Sequence, residues 1–272
     1  MSTANHAPLG FGLMRLPKVG EEIDVAQTSQ MVDAFLAAGF TYFDTAYVYT
    51  GSEDAIRKAL VERHPRDSYT LATKLNARVA GTPEKARQEL EESLERTGAG
   101  YFDYYLLHAL QDSNVHYYND WNLWDFVKEQ KAKGLIRHYG FSFHGTPALL
   151  DKLLTQHPDV DFVQLQINYA DWDNPEVTSG ENYRVARAHG KQIVIMEPVK
   201  GGALADPPQE VKDVFEQVRP GMSCASWALR FAASLDGILA VLSGMSNLAQ
   251  MQDNLATFTR FGPVTDAERD AV

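Results

Sequence analysis

The sequence predicts one (β/α)8 barrel, or TIM barrel, that spans residues 1–272 as a single domain. The chain has 272 residues, and about 250 are typical of this fold. Short apolar runs alternate with segments of helical periodicity, which indicates a parallel sheet covered by helices. Eight such units follow one another without a linker-like stretch, which favours a closed barrel over an open sheet.

The first half of the chain carries four predicted strands, at residues 9–16, 41–44, 69–74 and 104–108. Apolar runs of about five residues between helical stretches are typical of buried parallel strands. Helices are predicted at residues 25–38, from 52 to about 63, and from 82 to about 97. Gly39 ends the first helix, and Thr82 followed by Pro83 begins the third.

The second half carries the other four predicted strands, at residues 136–141, 162–167, 192–196 and 238–242. Helices are predicted at residues 121–133, from 146 onwards, and at 182–188, 210–218, 223–234 and 247–259. Residues 109–120 are polar and aromatic and are predicted to form a loop on the substrate side. Residues 198–208 are rich in glycine and proline, which indicates a second long loop.

Three predicted strands that follow one another end in an ionisable residue, namely Asp44, Lys74 and His108. A charged group within a buried strand is costly unless it is paired. At the C-terminal end of a barrel strand, the same group faces the end where barrel enzymes build their active sites. An acid, an ammonium and an imidazole on neighbouring strands therefore predict one assembled active site and an enzyme.

The composition argues against several other classes of protein. The formal net charge of −11 is unfavourable for a nucleic-acid-binding surface. The one cysteine, Cys224, allows neither an intramolecular disulfide nor a cysteine cluster, and we expect no metal. Residues 1–8 lack a signal-peptide pattern, and no apolar run approaches the roughly 18 residues of a spanning helix. We therefore expect a cytoplasmic protein with neither a nucleic-acid nor a membrane partner.

The C-terminal residues have the pattern of a helix start. Thr265 and Glu268 have the spacing of a capping box, which opens a helix. Little more than one helical turn follows before the sequence stops at Val272. We therefore expect the natural protein to continue beyond Val272, with this chain as its N-terminal part.

Residues 39–49, GFTYFDTAYVY, closely resemble the signature of the aldo-keto reductases. The resemblance continues in residues 51–53, 73–74 and 107–108, and it extends from about residue 9 to residue 258. The family fold is a (β/α)8 barrel that binds a nicotinamide cofactor without a Rossmann domain. In agreement, the chain lacks a Gly-x-Gly-x-x-Gly motif, because Arg15 stands where the third glycine would fall after Gly10 and Gly12.

The resemblance implies a catalytic tetrad of Asp44, Tyr49, Lys74 and His108. Tyr49 would donate the proton to the carbonyl oxygen as general acid, although a free tyrosine has a pKa of about 10. The ammonium of Lys74 is expected to lower that pKa, and Asp44 is expected to hold Lys74 charged and in place. His108 would orient the carbonyl and stabilise the developing oxyanion.

The resemblance also implies residues for the nicotinamide end of the cofactor. Ser142 and Gln164 match the positions that hold the carboxamide of the nicotinamide ring. Many members of the family have an asparagine after that serine, where this chain has Phe143. Met196 takes the place of the aromatic residue that stacks on the ring, and methionine can pack flat against a ring.

Two further segments match the family's binding site for the phosphates and the adenosine. The first is expected to pass the pyrophosphate and contains Pro198, Val199, Lys200, Gly201 and Gly202. The second surrounds the adenosine and contains Ser243, Gly244, Met245, Ser246, Gln250 and Asn254. Many members that prefer NADP place lysine and arginine where Gly244 and Gln250 stand here. NADP is the predicted cofactor, and NAD stays open as the alternative.

The substrate is expected to be a small carbonyl compound. The predicted pocket residues are Met14, Tyr47, Tyr117 and Trp121, and Arg15 would meet an anionic substrate or pair with a nearby acid. Residues 12–17, 196–198 and 242–246 resemble the family members that carry a C-terminal ferredoxin-like domain with iron–sulfur cysteines. That domain is absent from this chain. We expect a monomer or a dimer.

Three functions are compatible with these observations. The first is an NAD(P)H-dependent oxidoreductase that reduces an aldehyde or ketone to the alcohol, or catalyses the reverse reaction. The second is a nicotinamide-binding redox sensor or regulatory subunit with slow turnover, similar to the potassium-channel β subunits of the same superfamily. The third is a hydrolytic barrel that uses Asp44 and a second carboxylate, and it leaves Tyr49 and Lys74 without a role.

Overall fold

A computed structural model describes residues 8–272, and the N-terminal prediction for residues 1–8 lies almost wholly outside them. Eight parallel strands close into a barrel, in which each strand pairs with the next and the first pairs with the last. This arrangement confirms the predicted (β/α)8 barrel. The barrel strands are β1 (Leu9–Gly12), β2 (Tyr42–Asp44), β3 (Thr70–Leu75), β4 (Phe102–Leu110), β5 (Ile136–Phe143), β6 (Phe162–Gln166), β7 (Gln192–Met196) and β8 (Ile238–Ser243).

Helices fill every connection between the barrel strands and follow the last strand. They are α1 (Val25–Ala37), α2 (Ser52–Ile56), α3 (Ala77–Ala80), α4 (Pro83–Thr97), α5 (Val115–Asp120), α6 (Leu123–Ala132), α7 (Pro147–Gln156), α8 (Ser179–Ala188), α9 (Gln209–Val218), α10 (Cys224–Ala233), α11 (Leu248–Thr259) and α12 (Asp266–Ala271). A two-stranded hairpin, Lys18–Val19 with Glu22–Ile23, precedes α1. The predicted caps Thr82 and Thr146 each accept a hydrogen bond from a first-turn N–H.

Two predictions of local structure are wrong. The first strand ends at Gly12 rather than at residue 16, because Leu13–Arg15 turn into a 3-10 helix whose Leu13 carbonyl accepts a hydrogen bond from Ser52 Oγ. The predicted loop at residues 109–120 contains α5, and β4 runs on to Leu110 because it keeps pairing with β5 past a register shift. The predicted helix from 52 to about 63 is present, as α2 followed directly by a π-helix at Arg57–Val61.

The interior of the barrel is filled by apolar side chains from six of the eight strands. They are Tyr42, Ala72, Leu106, Phe162, Val194, Ala240 and Leu242. Glycines on the two intervening strands leave room for them. A Cβ at Gly10 would lie 2.7 Å from Leu242 Cδ2, and a Cβ at Gly140 would lie 2.3 Å from the Phe162 carbonyl oxygen. The larger part of the apolar core lies between the barrel and the helices.

Helix α12 is attached to the barrel by a buried carboxylate. Glu268 accepts hydrogen bonds from Arg230 Nη1 at 2.7 Å and from Arg230 Nη2 at 3.0 Å, and it pairs with Arg219 at 3.0 Å. Both hydrogen bonds of the predicted capping box between Thr265 and Glu268 are present. These partners hold the pKa of Glu268 well below its usual range, with the hydrogen bonds from Arg230 as the main cause.

We expect Glu268→Gln to lower the free energy of unfolding at pH 7 by about 3 kcal/mol, because it leaves the buried Arg230 without its charged partner. A depressed pKa stabilises the folded state above the unfolded-state pKa of about 4.3, and this contribution is lost progressively as the pH falls from there through the folded-state pKa. The difference between the two proteins should therefore shrink in acid. Urea unfolding at pH 7 and at about pH 2.5, with the exposed Glu91→Gln as control, measures it, and a difference that is equal at both pH values contradicts the prediction.

Candidate active site

The site lies directly above the apolar interior of the barrel. In a strand, residues two apart point to the same side of the sheet. The residue two positions after an interior side chain therefore also points into the barrel, one layer nearer its C-terminal end. The polar residues that follow interior positions in this way are Asp44 after Tyr42, Lys74 after Ala72, His108 after Leu106, Ser142 after Gly140, and Gln164 after Phe162. The strand pattern therefore gathers these side chains into one layer at the C-terminal end of the barrel.

Asp44 and Lys74 form a buried ion pair at the centre of this layer. Lys74 is 1% exposed, and its Nζ donates to Asp44 Oδ1 and, at 2.6 Å, to the carbonyl oxygen of Thr45. The second carboxylate oxygen of Asp44 accepts a hydrogen bond from Gln164 Nε2 at 3.2 Å. Burial alone would lower the pKa of Lys74, yet the charge of Asp44 and the proximity of Tyr49 raise it above its ordinary value. The pair therefore keeps an ammonium ion in a dry environment.

Tyr49 lies beside this ammonium ion, in the short turn between β2 and α2. The Lys74 Nζ is 5.0 Å from the centroid of the Tyr49 ring. Burial raises the pKa of Tyr49 above 10, and the charge of Lys74 opposes this rise without reversing it. The prediction that Lys74 lowers the pKa of Tyr49 is thus right for the effect of Lys74 alone and wrong for the net shift. Burial outweighs the nearby charge, and the phenol keeps its proton.

His108 faces the ring of Tyr49 from the neighbouring side of the barrel. The two rings meet edge to face, with 5.8 Å between their centroids and 80° between their planes. Burial lowers the pKa of His108 well below 6.5, and the charges of Lys74 and His144 add to this effect. The hydroxyl of Tyr118 donates to the His108 carbonyl oxygen and ties this strand end to α5. His108 is therefore a neutral imidazole in a fixed position.

A buried carboxylate that carried no predicted role supports these residues from behind. Glu53 Oε1 accepts a hydrogen bond from Thr73 Oγ1 at 2.7 Å, one residue before Lys74. Its Oε2 pairs with Arg96 at 3.4 Å. Glu53 lies four residues after Tyr49 in the sequence. Through its contacts with Thr73 and Arg96, it links the segment that carries Tyr49 to β3 and α4. The one sequence signal for a role of Glu53 was its position within residues 51–53, which resemble the aldo-keto reductase signature.

A cavity of about 560 Å³ opens above the polar layer. The predicted residues that line it are Met14, Asp44, Tyr49, His108, Gln164, Met196, Pro198, Val199, Gly201, Gly202, Ser243, Gly244, Met245, Ser246, Gln250 and Asn254. Residues that carried no predicted site role also line it, namely Gly12, Leu13, His144, Glu197, Ala205, Ala225, Leu242 and Asp253. Of these, His144 and Glu197 follow the ends of β5 and β7 directly, so the rule applied to Asp44 and His108 could have found them.

Three predicted residues of the tetrad and cofactor site do not line the cavity. Lys74 lies behind Asp44 and acts on the cavity through its charge. Ser142 is fully buried, and its Oγ accepts a hydrogen bond from the Ala109 N–H at 2.7 Å. Lys200 forms an ion pair with the buried Asp171, so its charge is already used within the protein.

Three of the four predicted substrate residues also lie outside the cavity lining. The Tyr47 hydroxyl donates to Glu92 at 2.6 Å. Tyr117 and Trp121 pack against each other, with 5.0 Å between their ring centroids. The segment contacts the active site instead through Tyr118, which supports the backbone of His108. Met14 does line the cavity and is 61% exposed at its rim.

The loop after β7 is held in an unusual backbone conformation by a buried acid. Glu197, Lys200, Gly201 and Gly202 all have positive φ angles, of 54°, 49°, 64° and 104°. Asp171 is fully buried, and hydrogen bonds from Lys200, Asn168 and Gln166 lower its pKa in spite of burial. Asn168 also donates to the Glu197 carbonyl oxygen at 3.1 Å. These contacts fix the glycine-rich wall of the cavity.

Comparison with known proteins decides the family. A sequence profile described as the Aldo/keto reductase family matches residues 8–272. This chain belongs to the aldo/keto reductase family. It is 30% identical over 253 residues to an aldo-keto reductase of Mycolicibacterium smegmatis, a match that covers 89% of this chain and 82% of that relative. The predicted family is confirmed, and the chain is an oxidoreductase of a family whose substrates are small carbonyl compounds.

Two further aldo/keto reductases show how much of the chain is similar in sequence and in structure. The chain is 29% identical over 209 residues to Aldo-keto reductase str7 of Strobilurus tenacellus, and the match covers 72% of this chain and 59% of that relative. It therefore spans less than two thirds of that relative's length. A Klebsiella pneumoniae aldo/keto reductase, solved in complex with NADP and acetate, matches with a TM-score of 0.75 at 20% identity, over 96% of this chain and 88% of that one. At this identity the likeness supports the fold.

Two absences are observed within residues 8–272 of this aldo/keto reductase. No group of three or more histidine, cysteine, aspartate or glutamate side chains is placed to hold a metal ion. Likewise, none of the helices described there has the length and apolar character needed to cross a bilayer. The expected cytoplasmic location, the monomer or dimer state and the continuation beyond Val272 stay predictions.

We expect Lys74→Met to destabilise the fold by about 3 kcal/mol, because it leaves the Asp44 carboxylate buried without its charged partner. Replacing both partners in the double variant Asp44→Leu, Lys74→Met removes both buried charges and should recover part of that loss. Urea unfolding of the two single variants and the double variant forms a complete double-mutant cycle. If the double variant loses more free energy of unfolding than the two single variants lose together, the assigned ion pair is contradicted.

Proposed function

We propose that this protein is an NADPH-dependent oxidoreductase that reduces an aldehyde or ketone to the alcohol, or catalyses the reverse reaction. The observation that carries the proposal is the position of the protonated Tyr49 phenol, which lies beside the Lys74 ammonium and faces the neutral His108 at the cavity. Carbonyl reduction needs a hydride at carbon and a proton at oxygen. This set of groups supplies the proton and stabilises the charge that develops on oxygen.

The raised pKa of Tyr49 suits a general acid, because the phenol reaches the reaction with its proton in place. As the carbonyl oxygen gains negative charge, the proton moves from Tyr49 to that oxygen, and Lys74 stabilises the phenolate that remains. The neutral imidazole of His108 hydrogen-bonds the carbonyl oxygen and orients it towards the phenol. Tyr49 then regains a proton from solvent, and in the reverse direction the same phenolate accepts the proton of the alcohol.

The cavity is suited to a nicotinamide dinucleotide. The bound cofactor would supply the hydride, and Gln164 and Met196, which line the cavity, would hold its nicotinamide end. The glycine-rich wall at Gly201 and Gly202 leaves room for a pyrophosphate to approach the backbone. On the opposite wall, Asn254 donates to Ser243 Oγ at 2.7 Å, which gives the adenosine end a rigid polar surface.

NADP is proposed as the cofactor, with NAD as the alternative. The Klebsiella pneumoniae relative bound to NADP supports this choice. The neutral Gly244 and Gln250 weaken the discrimination, because the Gln250 side chain accepts a hydrogen bond from the Ser246 N–H at 2.7 Å and carries no charge. Titration with NADPH and NADH, followed by tryptophan fluorescence, separates the two cofactors.

A panel of aldehydes and ketones then tests the reaction itself. The proposal expects the bound cofactor to be oxidised much faster with at least one carbonyl compound than without any. Binding without such acceleration would favour the alternative, a nicotinamide-binding redox sensor or regulatory subunit. Binding of neither nucleotide would contradict both functions.

We expect Tyr49→Phe to lower the rate of carbonyl reduction by a factor of about 10² to 10⁴, because it removes the proton donor. Nucleotide binding should persist, since the phenol hydroxyl acts on the carbonyl oxygen. Single-turnover oxidation of bound cofactor by a reactive aldehyde measures the effect. Tyr101→Phe, which lies just before β4 and away from the cavity, serves as the matched control and should keep the wild-type rate. A Tyr49→Phe rate close to that of the wild type would contradict the role of Tyr49.

The pH dependence follows from two shifts of pKa. The pKa of Tyr49 lies above 10 and that of His108 well below 6.5, so neither group changes its charge between about pH 6 and pH 9. The rate of hydride transfer in the reduction should therefore be nearly constant over this range and fall above it, as Tyr49 loses its proton. A stopped-flow pH profile checks this, and an inflection near pH 6.5 would show that His108 titrates during the reaction.

A further inference from the structure

Helix α4 contacts two separate segments of the active site through one of its faces. Glu89, Glu92 and Arg96 are spaced by three and then four residues, which places them on the same side of the helix. Glu89 accepts a hydrogen bond from the Asn76 N–H at 2.7 Å, directly after β3. Glu92 and Arg96 contact the phenol turn, residues 45–51, which connects β2 to α2. One helix face is therefore attached to both segments.

Arg96 and Glu92 hold the phenol turn at Tyr47. The Tyr47 hydroxyl donates to Glu92 Oε2 at 2.6 Å, and Arg96 Nη2 donates to the same oxygen at 3.1 Å. The guanidinium carbon of Arg96 lies 4.2 Å from the centroid of the Tyr47 ring, and its Nη1 donates to the Tyr47 carbonyl oxygen at 3.4 Å. The ring, the hydroxyl and the carbonyl of this residue are thus fixed from α4, two residues before Tyr49.

Arg96 also holds the chain just beyond the phenol turn. Its Nη1 donates to Glu53 Oε2 at 3.4 Å, and Glu53 is 2% exposed. The other carboxylate oxygen of Glu53 accepts the hydrogen bond from Thr73 Oγ1, one residue before Lys74. Arg96 therefore bridges the two ends of the segment that carries Tyr49. Through one shared carboxylate it is also linked to the strand that carries Lys74.

The backbone of the phenol turn is attached to β3 in its first half. The Tyr47 N–H donates to the Lys74 carbonyl oxygen at 3.2 Å. The Tyr49 N–H donates instead to the Ala46 carbonyl oxygen at 3.0 Å, within the turn itself. The position of the phenol relative to the ammonium therefore depends on side-chain contacts as well as on strand pairing, and both act at Tyr47.

We propose that Arg96 is a positioning residue that sets the distance and orientation between the Tyr49 phenol and the Lys74 ammonium. The proposal rests on the proposed function, since it concerns the proton donor of that reaction. Arg96 is not among the described residues that line the cavity, so its effect on the reaction passes through Tyr49. A displacement of about 1 Å at a reacting group can lower a rate by a factor of about 10², so a contact behind the site controls the chemistry in front of it.

Single-turnover oxidation of bound cofactor by a reactive aldehyde, measured on Arg96→Met, tests the proposal. We expect the rate to fall by a factor of about 10 to 10², while the dissociation constants of NADPH and NADH stay at their wild-type values. Because Arg96 acts through Tyr49, the same substitution made in the Tyr49→Phe background should leave the remaining rate unchanged. Arg96→Lys keeps the charge but loses the planar fork, and should recover part of the rate.

A second arginine of α4 provides the matched control. Arg87 Nη2 donates to the Trp121 carbonyl oxygen at 2.7 Å, away from the phenol turn. Arg87→Met therefore removes the same kind of side chain from the same helix and should keep the wild-type rate. The Arg96 side chain is 35% exposed, and a far-UV circular dichroism spectrum checks that its variants fold. If Arg96→Met does not fold, the comparison of the two backgrounds is made with Arg96→Lys.

Each contrary result has a distinct meaning. An equal loss of rate in the wild-type and Tyr49→Phe backgrounds would overturn the proposal and show that Arg96 supports the barrel as a whole. A wild-type rate in Arg96→Met would overturn it directly. Weaker nucleotide binding with an unchanged single-turnover rate would overturn it in favour of an effect on the cofactor site. If the wild-type protein oxidises bound cofactor with none of the carbonyl compounds, the proposed function is overturned, and the role of Arg96 with it.

Discussion

The position of the active site depends on how the interior of the barrel is filled. Large side chains such as Tyr42, Leu106 and Phe162 occupy the interior, and Gly10 and Gly140 make room for them. Because side chains alternate along a strand, the next inward position must lie one layer higher, where the interior opens. The polar residues occupy that layer. The apolar layer below them excludes water and so makes the Asp44–Lys74 pair a buried one.

Burial then sorts the charges within the site. The same dry environment raises the pKa of Tyr49 and lowers that of His108, so both are neutral, whereas Asp44 and Lys74 stabilise each other as ions. The site therefore holds one fixed ammonium beside two uncharged hydrogen-bonding groups. Such an arrangement of a fixed charge beside two hydrogen-bonding groups suits the stabilisation of a negative charge with little rearrangement of the protein.

The sequence predicted the strands and the polar side chains at their C-terminal ends well, because both are local patterns. Asp44, Lys74 and His108 each end an apolar run, and alternation alone aligns them. Contacts between distant residues carry no such signal. Lys200 pairs with Asp171, 29 residues earlier, and the Tyr47 hydroxyl donates to Glu92, 45 residues later. Nothing in the sequence indicates these contacts, so Lys200 was predicted to bind the cofactor and Tyr47 the substrate. The short β1 and the helix α5 were missed for the same reason, since side-chain and strand contacts from other elements fix them.

The loop after β7 is held by the Lys200 ammonium, whereas the Arg15 guanidinium at the same cavity pairs with no acid in the described part of the chain. Positive φ angles at Glu197 and Lys200 are costly for residues with a side chain, and the Lys200–Asp171 pair offsets that cost by fixing the loop. Lys200 serves the loop in this way and leaves the cavity without its charge. Arg15 lies in the 3-10 helix that follows β1, and within residues 8–272 it takes part in no hydrogen bond or ion pair. The conformation of this cavity wall therefore depends on the Lys200–Asp171 pair and not on Arg15, the one lysine or arginine among the described residues that line the cavity.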